Sequence, residues 1–98
     1  MSDTAIVTAR KKPSLELYIH YDGDDKEMIE EIVALARSHH ARNVNVDESY
    51  GMARLVCACG EYFQNEETGF GISKYGKSCH DYHYVIEPDW TVTLESID

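Results

Sequence analysis

Long apolar runs are missing from this chain. None approaches the roughly 18 residues that span a membrane, so no membrane association is expected. Met1 to Lys12 lack the apolar stretch of a secretory leader, which points to the cytoplasm. Positive charge is scarce: 9 Lys and Arg stand against 18 Asp and Glu, a net charge of −9 over 98 residues. Contact with a phosphate backbone relies on Lys and Arg, so direct nucleic-acid binding is not expected. Cysteines number 3, an odd count that argues against a disulfide framework. No glycine-rich phosphate loop occurs, no Ser or Cys nucleophile stands beside His20 and Asp22 in sequence, and no segment repeats. No cofactor and no enzymatic activity are expected.

Apolar residues make up 43% of the chain, close to the globular norm of about 45–50%, which favours a packed domain over disorder. The charge is uneven. Residues 1–12 carry Asp3 against Arg10, Lys11 and Lys12, and residues 13–98 carry 17 acids against 6 bases. The expected organisation is a flexible basic tail over 1–12, ending at Pro13, and a single domain over 13–98.

Leu15 to Tyr21 alternates with period two. Leu15, Leu17, Ile19 and Tyr21 share one face, while Glu16, Tyr18 and His20 share the other. This is a half-buried strand, stopped at Asp22-Gly23. Asp24 or Asp25 is placed to cap a helix over about 25–40, in which Met28, Ile29, Ile32, Val33, Leu35 and Ala36 recur at helical spacing. Asp47 is placed to cap a second helix running to Phe63, despite Gly51 and Gly60. Asn65 to Gly69 reads as a loop, Phe70 to Ser73 as a short strand, Lys74 to Asp81 as a hairpin connection, and Tyr82 to Glu87 as a strand. Glu87-Pro88-Asp89-Trp90 is a turn, and Thr91 to Glu95 alternates again. The expected fold class is α+β: a two-layer sandwich in the order β-α-α-β-β-β. The last three strands form an antiparallel meander that the first strand joins, with both helices on one face.

Short pieces of this succession resemble a group of small uncharacterised proteins encoded by phages and prophages. The matching residues are His20-Tyr21-Asp22-Gly23, Ala53-Arg54-Leu55-Val56, Thr68-Gly69-Phe70-Gly71 and Tyr84-Val85. The resemblance carries no activity or catalytic residue; it implies a viral or mobile-element origin, hence the cytoplasm of a host cell.

Several groups bear chemistry. Cys57, Cys59, Cys79, His80 and His83 are candidate metal ligands. Zinc needs its ligands gathered in a tetrahedron, whereas helical Cys57 and Cys59 diverge by roughly 200°. The plainer reading makes Cys59 a small core residue. His20 and Asp22 at a strand end would suit an oriented base, or simply a turn in which Asp22 bonds local amides. A small metal- or ligand-binding enzyme using His20 and Asp22, or Cys79, His80 and His83, is therefore the alternative function.

The acids form the stronger pattern. Asp22, Asp24, Asp25, Glu27, Glu30 and Glu31 fall close together, and Glu27, Glu30 and Glu31 are helical neighbours. Such a face either keeps a small protein soluble or imitates the phosphates of a duplex. Tyr18 and His20, on the strand's second face, would add rigid contacts for a partner. The expected function is an acidic, protein-binding inhibitor from a phage or mobile element. It would act as a DNA mimic against a host nucleic-acid-binding protein or CRISPR effector complex, in the manner of an anti-CRISPR. A homodimer through a strand edge is a further possibility.

Overall fold

The computed structural model describes residues 3–9, 12–20, 22–39, 47–64, 69–78 and 80–97. Its elements are β1 (Ala5–Thr8), β2 (Leu15–Ile19), α1 (Lys26–Ser38), α2 (Glu48–Phe63), β3 (Phe70–Lys74), β4 (Tyr82–Ile86) and β5 (Val92–Ile97). The fold is α+β, with a mixed five-stranded sheet in the order β3-β2-β1-β4-β5.

The first correction concerns the N-terminus. Ala5–Thr8 falls within the expected flexible tail, yet it is the central strand. It pairs antiparallel with β2 and parallel with β4. Ala5 and Val7 face the helices, while Ile6 and Thr8 face the other way, all of them essentially without exposure. A strand buried on both faces has no period-two alternation to reveal it. Arg10 and Lys11 lie outside the described residues.

The second correction concerns the meander. β4 and β5 form the expected hairpin, but β3 pairs with β2 at the far edge. Residues 75–78 therefore lead back across the sheet rather than closing a hairpin. The two-layer arrangement with both helices on one face holds, since α1 and α2 share a single core with Leu17, Ile19, Tyr84 and Ile86. Full burial of each such side chain is worth about 1.5–3 kcal/mol.

Both helices begin as their sequences suggest. The Asp25 carboxylate accepts from the Met28 N–H at 3.1 Å, and that of Asp47 from the Tyr50 N–H at 3.3 Å. His39 closes α1, its N–H donating to the Ala36 and Arg37 carbonyls, while its ring pairs with Glu61 at 3.0 Å. Residue 40, where the expected helix ends, lies outside the described residues.

The second face of the sheet is partly covered. Glu16 is fully buried on it, and its two carboxylate oxygens accept the Gly76 and Ser78 N–H groups at 2.7 and 3.1 Å. This fastens the 75–78 segment over β2. Nearby, Thr8 Oγ1 lies 2.9 Å from His83 Nε2, and the Tyr75 and His80 rings sit about 6 Å from that of His83.

Candidate functional site

The acids expected to act together begin at the turn into α1. Asp22 takes a positive φ of 58°, a conformation that Asp tolerates better than most residues. Its carbonyl accepts the Asp25 N–H at 3.0 Å. The tight turn leaves Asp22, Asp24 and Asp25 exposed at the positive end of the α1 dipole, where negative charge is favoured.

The fold adds acids that are distant in sequence. The register of β1 on β4 sets Ala5 beside Tyr82, and the Asp81 carboxylate accepts the Thr4 N–H at 3.1 Å. Asp3 thereby joins Asp24 and Asp81. Its carboxyl is raised above the ordinary range, first by partial desolvation and then by those two carboxylates. The Tyr82 phenol is likewise raised by desolvation and then by Asp3, Asp24 and Asp81. On the other flank, the Tyr62 phenol is raised by desolvation and then by Glu31, with Asp25 and Asp22 contributing. A continuous acidic rim thus runs from Asp81 through Asp3, Asp24, Asp25 and Asp22 to Glu31, bordered by Tyr82 and Tyr62.

No family model, curated protein or solved structure matches the chain.

The structure gathers some of the sequence-derived residues and separates others. Asp22, Asp24, Asp25 and Glu31 belong to the rim. Glu27 is exposed on α1, and Glu30 turns toward a groove beside Trp90. Tyr18 and His20 lie half-buried on the opposite face of the sheet, with Tyr18 OH 2.8 Å from His20 Nδ1. Asp3, Asp81, Tyr62 and Tyr82 were not among the sequence candidates, because only the parallel β1–β4 register and the packing of α1 on α2 bring them in. Among the described residues, no Lys or Arg pairs with any acid of the rim.

The residues of the alternative reading are placed differently. Cys57 is exposed on α2, while Cys59 is buried and its thiol is pushed up to about 12 by desolvation. The two therefore diverge as helical geometry requires. Cys79 lies outside the described residues. Among those described, no group of three or more His, Cys, Asp or Glu side chains is placed to hold a metal. His83 is 6% exposed and Thr8 not at all, so their contact is shut away from solvent.

Proposed function

We propose that this chain is an inhibitor that binds another protein, offering its acidic rim and the outer face of α1 to a basic nucleic-acid channel in place of a duplex. The observation that supports this reading is the rim itself: carboxylates from three parts of the chain converge at one end, and among the described residues none of them forms an ion pair with Lys or Arg. Uncompensated carboxylates raise the negative potential in solution and steer a basic partner toward them. Tyr62 and Tyr82 at its borders supply rigid amphipathic contact area. A host nucleic-acid-binding protein or CRISPR effector complex of a phage-infected cell is the class of target, consistent with the phage-like sequence pieces.

Joint replacement of Glu27, Glu30 and Glu31 by Ala tests this reading without touching the Asp25 cap. Association with a basic nucleic-acid-binding target, followed by stopped-flow at low salt, should slow by about tenfold, and the difference should shrink as salt rises. Unchanged association with no salt dependence would rule mimicry out.

A further inference from the structure

β5 is an edge strand, and its outer side is set up to take another. The Glu87 N–H donates to the Thr91 carbonyl at 2.8 Å, and the register pairs Ile86 with Val92 and Val85 with Thr93. Antiparallel ladders alternate, so Thr91 and Thr93 bond inward to β4, while Val92 and Leu94 turn their N–H and C=O groups outward. Among the described residues nothing pairs with that edge. The side chains of Val92 and Leu94 point to the helical layer and pack against the core.

Directly beside them lies a groove of about 470 Å³, lined by Glu30, Ala34, Arg37, Trp90, Thr91 and Val92. A strand laid along β5 would send the side chain opposite Val92 into this groove and its alternate neighbours onto the same face, because opposed residues of neighbouring strands share a face. One wall is held in a costly conformation. Trp90 closes the β4–β5 hairpin with a φ of 72°, where such loops ordinarily place glycine, and the residue is only 6% exposed.

Charge selects the occupant. Glu30 lines the groove, Glu87 and Asp89 flank the hairpin, and Glu95 stands exposed on β5, while Arg37 is the basic residue among the described ones lining the groove. A second copy of this chain would set the same acids against each other. We propose that the β5 edge captures an extended basic segment of the partner protein as an added strand, with apolar side chains in the groove and Lys or Arg alternating with them. This rests on the reading of the chain as a binder of basic proteins, and adds the place and mode of contact.

The probe is the capped peptide Lys-Val-Lys-Val-Lys-Val-Lys, with a counterpart N-methylated at alternate residues so that charge is kept and strand pairing is lost. The fluorescence of Trp90, the single tryptophan, reports occupancy of the groove, and amide exchange reports the edge. The parent peptide should change the Trp90 emission and slow exchange at Val92 and Leu94 by about tenfold at saturation, and the methylated one should do neither. Ala34→Phe, which fills the groove from the exposed side of α1, should weaken binding by about tenfold. Equal binding of both peptides with unchanged exchange at Val92 and Leu94 would overturn strand capture and leave the acidic-surface reading standing. No binding of either peptide at low salt would contradict both. Protection of the same amides that grows with protein concentration, without peptide, would make a second copy the occupant and overturn the proposal.

Discussion

Gly23→Ala should destabilise the domain by about 3 kcal/mol, lowering its melting temperature by roughly 12–24 °C. A Cβ at Gly23 would stand 2.6 Å from the Thr4 carbonyl carbon, 2.8 Å from the Ala5 nitrogen and 2.9 Å from the Ala5 Cβ. Relief requires moving the start of β1, which is held by ladders on both sides. Two further bonds hold Gly23 in place: its N–H donates to the Asp3 carbonyl at 2.9 Å, and its own carbonyl accepts Tyr84 OH at 2.7 Å. Burial pushes that phenol up to about 12, with Tyr82, Asp24 and Asp25 adding to the shift. Glycine is needed here for space and not for an unusual φ. Gly60→Ala provides the contrast. Beyond the helix's own adjacent backbone nothing stands within 4 Å of the added methyl, and the position is helical, so this change should stabilise by about 0.5–1 kcal/mol. Thermal melts of both variants check the pair. A Gly23→Ala protein as stable as the parent would mean that the turn and β1 do not pack as described.

Glu16→Ala should cost about 2–4 kcal/mol, because it removes the carboxylate that takes the Gly76 and Ser78 amides and leaves a hole beneath them. Desolvating the charge offsets part of what those bonds contribute, which keeps the figure from being higher. Glu16→Gln keeps the shape but offers an N–H₂ where the second amide needs an acceptor, so its cost falls between the parent and the alanine variant. Exchange at Gly76 and Ser78 should quicken in both variants, while exchange in α1 should change only as far as global stability does. If both variants melt with the parent and those two amides stay protected, Glu16 does not hold the 75–78 segment down.

These positions also show what the chain's own order made visible. The alternation of Leu15 to Ile19 assigns Leu17 and Ile19 to the core and Glu16 to the other face, where the structure has them. The caps at Asp25 and Asp47 mark the helix starts through local chemistry alone. β1 is different. Ala5–Thr8 is a short run between charged residues, buried on both faces, and its identity as a strand depends on partners far along the chain. The placement of β3 against β2 was hidden for a related reason. Neighbours in sequence ordinarily pair, and nothing in the sequence between β3 and β4 signals that the connection crosses the sheet; the burial of Glu16 beneath it is seen only in the structure. The same logic divides the acidic rim. Asp22, Asp24, Asp25 and Glu31 are legible because one turn and one helix carry them. Asp3 and Asp81 enter only through the β1–β4 register.

The most direct measurement is competition for a nucleic-acid site. A labelled duplex is bound to a basic target, such as a CRISPR effector complex recovered with this protein at low salt, and the protein is then titrated in. Duplex release is the predicted result, weakened by salt and by joint replacement of Glu27, Glu30 and Glu31 with Ala. A duplex that stays bound while the protein also binds, with neither salt nor those substitutions changing the outcome, would contradict it.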